Sequence, residues 1–399
     1  PEDRGQCGDL MEKARIKMPK WAVATNSYEV TEKAEEIGYP VLIRPSFVLG
    51  GRGMEIVHND KQLRRYLSLE THATTERPVL VDKFLEGAVE LDVDLISDGN
   101  NVIIGAIMEQ IEMAGVHSGD SACVMPPQSI SKELQEEVIE ISKKVAKKMK
   151  IVGAANLQLA IKDSDIFLLE TNPRASRTLP FVSKSTGYPL ARLAVRAMLG
   201  EKLANLPEQI EMKGASVKVP TFSWLKITGL DTVLGPEMKS TGEVMGVAPR
   251  FGDAFAKAIT GDGQSLPTSG KAFVSVNDND KMKVLPIVRD LAELGFEVVT
   301  TEGTAQTCRR NGIRTEKIFK VGEGRPNAVD GIKNGEIQLV INTPLGAQSR
   351  YDEYAIGRAA IQARIPVVTT LSGAQAAVRA IRSTNINEVR SLQEIHGKA

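Results

Sequence analysis

The stretch "NLQLAIKDSDIFLLETN", residues 156–172, constrains what this chain can fold into more than any other. Two apolar runs flank a short polar break, which is the pattern of an antiparallel hairpin. With Asp163-Ser164-Asp165 as a three-residue loop, Lys162 pairs with Ile166, and Gln158 then lies opposite Glu170 and Asn156 opposite Asn172. Opposed residues share a face of the pair, and alternate residues stay on it. Gln158, Glu170 and Asn172 therefore converge on one patch, while Leu157, Leu159, Leu169 and Thr171 point the other way. The argument depends on loop length, because a two-residue turn shifts the pairing by one. Oxygen-only donors of this kind suit Mg2+, which takes carboxylate and phosphate oxygens and keeps several waters. The alternative is a half-exposed polar sheet face. Arg174 and Arg177, in "NPRASR", weigh against it by setting cations beside the acid.

The bulk properties exclude several other destinations. A chain of 399 residues has room for two or three domains. Lys plus Arg equals Asp plus Glu at 50 each, so no net charge draws it to nucleic acid or a membrane surface. Aromatic content of 5% also argues against a base-stacking platform. Cys7, Cys123 and Cys308 are far apart, with neither metal spacing nor a disulfide framework, which points to a reducing compartment. No apolar run reaches about 18 residues and no signal-peptide pattern opens the chain, so a cytoplasmic location is expected. The first residues lack a methionine and read as a helix leading to Pro19, as in a piece of a longer polypeptide.

Along the first half, strands are expected at Val41 to Ile43, Met54 to Val57, Pro78 to Leu85, Glu90 to Ile96 and "NVIIGAIMEQI". A glycine-bearing loop, "EMAGVHSGDSAC", precedes the amphipathic helix "SKELQEEVIEISKKVAKKM", whose serine is placed to cap it. Residues 201–262 are mixed, with several loops, and "TGDGQSLPTSG" at 260–270 reads as a linker. Beyond it the rhythm changes. "KAFVSV", a helix from about Lys281 to Leu294, "GFEVVTT", a helix around Ala305 to Asn311, "QLVINT" and "PVVTT" alternate as in an open parallel sheet covered by helices. Domains of 1–262 and 263–399 follow from that change.

The glycines of "VLGGRGMEIV", residues 48–57, fit either a hairpin loop or a flap whose amides close over phosphate. Arg44 and Lys83 end apolar runs, Glu90, Asp92 and Asp94 alternate on one face, and His117 lies in "AGVHSGD". Each alone fits a solvated surface as well as a ligand site. Their order is more specific: glycine flap, lysine strand, acidic strand, glycine loop, carboxylate–amide hairpin, then arginines. That order resembles the ATP-grasp superfamily. More narrowly, "GYPVLIRPSFVLGGRGMEIV", "AGVHSGDSAC", "LETNPRASRTLPFVSK" and "LGPEMKSTGEVMG" are similar to the second synthetase unit of the carbamoyl phosphate synthetase large subunit family, and the likeness runs over essentially the whole chain.

The resemblance implies an α/β chain: an α+β ATP-grasp domain, then an open parallel-sheet domain of the methylglyoxal-synthase-like kind. Gly50, Gly51 and Gly53 become the phosphate flap. Arg44 and Lys83 go to nucleotide phosphates, Leu85 to the adenine hinge through its backbone, and Glu90 to the ribose hydroxyls. Gly115, Val116, His117 and Ser118 lie against the nucleotide. Gln158, Glu170 and Asn172 become ligands of Mg2+ or Mn2+, and Arg174 and Arg177 face the developing charge of the phosphoryl acceptor. The implied reaction is phosphorylation of carbamate by ATP, feeding pyrimidine and arginine biosynthesis. It needs no protein nucleophile and no general base.

The implied partners are an earlier half of the large subunit, a glutaminase small subunit and an effector of nucleotide or ornithine type. In the second domain "TTEGTAQT" joins a strand to a helix, so Thr301 and Thr304 can flank a phosphate at the helix start. Lys281, Lys320 and Asn342 match further effector positions of the family. Pro344 departs from the bacterial pattern, which can have a second threonine there, and this speaks against pyrimidine-nucleotide sensing. "PLGAQS" lacks the carboxylate of the true lyase, so regulation fits better than lyase chemistry. Two other readings stay open: an ATP-grasp ligase acting on a different carboxylate, and a non-catalytic nucleotide-binding regulatory module.

Overall fold

The structure, a computed structural model, describes residues 4–45, 50–70, 78–210, 212–224, 234–343, 349–383 and 389–397. Val48 and Leu49 of the glycine stretch, and Pro344 with most of "PLGAQS", lie outside the described residues. The chain packs as two compact units. One comprises Pro1–Ala215, Gly235–Met238 and Val389–Ala399, the other Ser216–Leu234 and Lys239–Glu388.

The first unit contains a small antiparallel sheet of β1 (Trp21–Ala24), β2 (Val41–Pro45), β3 (Glu55–Val57) and β4 (Val79–Lys83), in the order β1-β4-β2-β3. Its buried face, Val41, Ile43, Val57, Val79 and Val81, packs with Val30 and Ala34 of the helix Ser27–Ile37 and Leu63 of the helix Asp60–Glu70. Asn26 starts the first of these helices by accepting from Glu29 N at 2.9 Å. β2 and β3 pair antiparallel, with Ile43 opposite Glu55. The glycine run is thus the loop of a hairpin.

A larger antiparallel array follows, with β5 (Val89–Asp98), β6 (Val102–Gln110), β7 (Cys123–Met125), β8 (Val152–Lys162) and β9 (Asp165–Asn172) ordered β7-β6-β5-β8-β9. One face packs on the helix Lys132–Lys148, where Val138, Val145 and Ala146 meet Leu91, Val93, Leu157, Leu159 and Leu168. Ser131 caps that helix as expected, accepting from Leu134 N.

The β8–β9 turn differs from expectation. Lys162 pairs with Asp165, so the loop is the two residues Asp163 and Ser164, at φ 51° and 67°. Positive φ at both central residues is what a type I′ turn requires, and its twist matches the flanking strands. The register then shifts at a bulge: Leu159 faces Leu168, yet Gln158 faces Glu170 and Asn156 faces Asn172. One extra residue, Leu169, cancels the one-residue slip. Leu169 does not join Leu157 and Leu159 as the simple alternation predicts. It packs with Phe84, Leu85 and Ala160, while Leu168, 1% exposed, takes the core position.

In the second unit β10 (Ala215–Thr221) and β11 (Gly242–Ala248) are neighbours, and the helix Phe251–Gly261 packs on β11. Residues read as mixed loops therefore hold two strands and a helix. Next come β12 (Gly270–Val276), β13 (Phe296–Thr300), β14 (Glu316–Lys317), β15 (Ile337–Thr343) and β16 (Val367–Val368). Their order is β14-β13-β12-β15-β16 and every pairing is parallel. Both faces are covered, as parallel sheets require. Ala272, Val274, Leu339 and Ile341 enter one core, and Phe273, Val299 and Val340 the other. The first helix of this sheet spans Leu285–Glu293 rather than starting at Lys281. Pro286, with fixed φ and no N–H, is placed in its first turn, and the chain before it forms a short 3-10 turn, Asp278–Asp280.

Candidate active site

The face of the larger sheet opposite the helix Lys132–Lys148 carries two polar rows. Asp92 on β5 lies opposite Gln158 on β8, which lies opposite Glu170 on β9. Asp94 likewise continues through Asn156 to Asn172. The three expected metal donors therefore do share one patch. Gln158 Nε2 donates to Ser118 Oγ at 3.0 Å, which brings the glycine loop onto the same patch. Arg44 reaches across from β2 to ion-pair with Glu170 at 3.2 Å and with Asp82 at 2.9 Å.

Beneath the rows is a buried network that sequence reasoning did not assemble. The Asn156 amide donates to Asp92 Oδ1 at 3.1 Å and to Asp94 Oδ1 at 3.0 Å, and Gln110 donates to the other Asp92 oxygen. Asp94 Oδ2 accepts from Ser176 Oγ at 2.9 Å and Thr178 Oγ1 at 2.8 Å. Burial pushes the Asp94 carboxyl up to about 6, against the lowering effect of these donors. Alternation of Glu90, Asp92 and Asp94 was visible in the sequence. That their face is buried and roofed by "RASRT" was not.

Glu90, next along the same face, accepts from Gly115 N at 2.9 Å. Desolvation raises its carboxyl to about 7. Gly115 sits at φ +88°, and a Cβ there would come within 2.6 Å of Ile56 Cδ1 and 2.8 Å of Phe84 Cε2. Only glycine lets the loop lie this close to the apolar slot formed by Phe84, Leu85, Ala88, Ala114, Ala160 and Leu169. Leu85 supplies a side chain to that slot while its carbonyl accepts from Ala88 N at 3.1 Å. Val116 is buried, and His117 Nδ1 accepts from Gly119 N at 3.0 Å. Lys83 Nζ donates to the carbonyls of Gly38 and Tyr39, both at 2.8 Å. Desolvation lowers its pKa, and the positive charge of Lys162 adds to this.

The flap glycines Gly50, Gly51 and Gly53 have φ of 64°, 69° and 69°. Gly50 O accepts from Met238 N at 2.9 Å, and a Cβ on Gly51 would meet Pro236 O at 2.0 Å. His117 N donates to Gly235 O at 2.8 Å, and Arg177 contacts the Met238 sulfur. The segment Gly235–Met238 thus ties flap, glycine loop and arginine together, a role that no local pattern signalled. Arg174 and Arg177 are exposed on either side of half-buried Ser176.

The chemistry of the donor set fits a hard divalent cation: one carboxylate and two amide oxygens, a set that leaves the remaining coordination positions to water and phosphate oxygens. Among the described residues no group of three His, Cys, Asp or Glu could hold a metal, so such a site must draw on amides. No helix among them is long and apolar enough to cross a membrane.

The profile of the family described as carbamoyl-phosphate synthase L chain, ATP binding domain, matches residues 3–206. The chain belongs to that family. An MGS-like domain matches residues 283–369. The carbamoyl phosphate synthase large chain of Acidobacterium capsulatum is 49% identical over 405 residues, covering 99% of this chain and 37% of that protein. The chain therefore spans little more than a third of that relative's length. Among solved structures, biotin carboxylase from Campylobacter jejuni, as a β-γ-ATP complex, has a TM-score of 0.53 at 17% identity, covering 65% of this chain and 66% of that one. The biotin carboxylase domain of Hydrogenobacter thermophilus 2-oxoglutarate carboxylase, with MgADP and bicarbonate, has 0.52 at 19%, covering 65% of each chain. At such identities the likeness is one of fold. The expected architecture, an ATP-grasp unit with a parallel MGS-like sheet, holds.

In the second unit the effector candidates gather at the carboxyl ends of parallel strands, where ligands of open α/β sheets bind. Thr301, at the N-cap position of the helix Glu302–Arg310, spends its hydroxyl on a 3.0 Å hydrogen bond with Ser275 near the end of β12 rather than on the helix. Thr304 is buried and accepts from Val276 N at 3.4 Å. Asn342 pairs with Ser275 across β12 and β15. Lys281 Nζ ion-pairs with Asp278 at 2.5 Å and lies against Gly303, where a Cβ would meet it at 2.9 Å. Lys320 is exposed. Ser275 is the member of this group that the sequence did not single out.

Proposed function

We propose that this chain is the carbamate-phosphorylating half of a carbamoyl phosphate synthetase large subunit together with its regulatory domain. ATP transfers its terminal phosphoryl group to carbamate, giving carbamoyl phosphate and ADP. The observation that carries the reading is the in-register Gln158–Glu170 pair, met by Arg44 from the small sheet and followed in sequence by Arg174 and Arg177. Residues 1–262 are the synthetic domain and 263–399 the effector domain. Arg44 and Lys83 bind the nucleotide phosphates, Glu90 orients the ribose, and the Phe84–Leu85–Leu169 slot takes the adenine. Gly50, Gly51 and Gly53 close over the phosphates and exclude water, which protects a readily decomposing acceptor. Arg174 and Arg177 stabilise charge developing on the transferred group. Gln158, Glu170 and Asn172 would hold Mg2+ or Mn2+, which when bound neutralises phosphate charge. Thr301, Thr304, Lys281, Lys320 and Asn342 take a nucleotide or ornithine-type effector. The partners are the remainder of the large subunit and a glutaminase subunit, in the cytoplasm.

The test is ATP formation from ADP and carbamoyl phosphate in the presence of Mg2+. The expected result is measurable turnover that Glu170→Ala reduces on the order of 100-fold or more. Turnover insensitive to that substitution, or ADP release with another carboxylic acid but not carbamate, would refute the assignment.

A further inference from the structure

We infer that Asp94 is a positioning residue for Arg174 and Arg177, acting through the hydroxyls of Ser176 and Thr178. This rests on the functional reading above and adds to it a residue that touches no substrate. Asp94 is 0% exposed and fully engaged: Asn156 holds one carboxylate oxygen at 3.0 Å, and Ser176 and Thr178 donate to the other at 2.9 and 2.8 Å. Ser176 Oγ also accepts from Leu179 N at 2.9 Å, in the first turn of the helix Thr178–Thr186. A single buried carboxylate thereby pins the segment between Asn172 and that helix at two points. Arg177 lies between the two pinned residues and Arg174 two residues before them. Ser176 and Thr178 are turned in onto Asp94, while Arg174 and Arg177 are exposed.

The anchor is shared with the donor row. Asn156, which holds Asp94, lies directly opposite Asn172 on β9 and also binds Asp92. The arginine segment and the amide–carboxylate row are thus referenced to one rigid three-strand span. A long, flexible arginine stabilises a transition state only if its backbone is held, and misplacement by about 1 Å can cost 10²-fold. Hydrogen bonds to a buried charged acceptor are stronger than neutral ones, which suits a carboxylate to this task.

The experiment compares Asp94→Asn, the pair Ser176→Ala/Thr178→Val, and their combination in the 399-residue chain. The expected result is a fall in kcat for ATP formation on the order of 10- to 100-fold, with KM for ADP within about twofold. The combined variant should be no worse than either alone, because all three act through one contact set. In parallel, amide hydrogen exchange over residues 174–179 should accelerate both in Asp94→Asn and in the Ser176→Ala/Thr178→Val pair, while exchange in β5 and β8 stays unchanged. Losses that multiply in the combination, a KM effect equal to the kcat effect, or unchanged exchange over 174–179 would each overturn the inference. Absence of turnover in the unmodified chain would sink the functional reading instead, and the exchange comparison would then decide the pinning alone.

Discussion

Glu90 illustrates how a single side chain acquires properties its type does not predict. An exposed glutamate titrates near 4.5, but here desolvation holds the carboxyl up at about 7. A raised acid pKa means that the folded state prefers the proton. Its contribution to stability is therefore complete below the unfolded value and is lost as pH rises through about 7. Glu90→Gln mimics the protonated form and keeps the acceptor for Gly115 N. Its melting temperature should exceed that of the parent at pH 8, and the gap should close toward pH 5. In the ribose-binding role proposed for Glu90, hydroxyls donating to it favour its ionised form, so nucleotide affinity of the parent should weaken as pH falls through 7 while that of Glu90→Gln stays flat. Calorimetric melting and nucleotide titration across this range check both statements.

At the scale of elements, the β8–β9 ribbon depends on two compensating irregularities. Its two-residue turn alone would throw Glu170 to the wrong face, and the bulge at Leu169 returns it. The bulge also divides two adjacent leucines between different tasks. Leu168→Ala, at a fully enclosed core position, should cost about 2–5 kcal/mol of stability in chemical denaturation. Leu169→Ala opens the slot beside Phe84 and Leu85, so it should cost less stability and instead weaken ADP binding. The strands themselves were legible because alternation with period two is written in near neighbours. The bulge was not, since its cause is the demand of two faces that only folding assembles.

For the molecule as a whole, the two compact units have separate cores, one organised on antiparallel sheets and the other on a parallel one. Leu339→Ala, at a 0% exposed position of the parallel sheet, should lower the stability of the second unit by about 2–5 kcal/mol. ADP affinity of the first unit should be unaltered, as measured by titration at a temperature where both remain folded. The change of rhythm near residue 270 announced the parallel sheet. Neither the strands β10 and β11 nor the return of Gly235–Met238 to the flap was legible, because both depend on partners far away in sequence.

Taken alone, the order of residues determined the alternation within each strand, so that Asn156 shares a face of its strand with Gln158, and Glu170 a face of its own with Asn172; it also determined where glycine must bend the chain, and that arginines follow the acid. These are short-range properties, set by neighbours two to four positions apart. Tertiary structure decided the register that aligns Gln158 with Glu170, the burial that brings Glu90 and Asp94 toward neutral pKa values, and the arrival of Arg44 and Met238 at the same place. Desolvation and cross-strand contact depend on residues from 12 to more than a hundred positions away, and no local pattern carries that information.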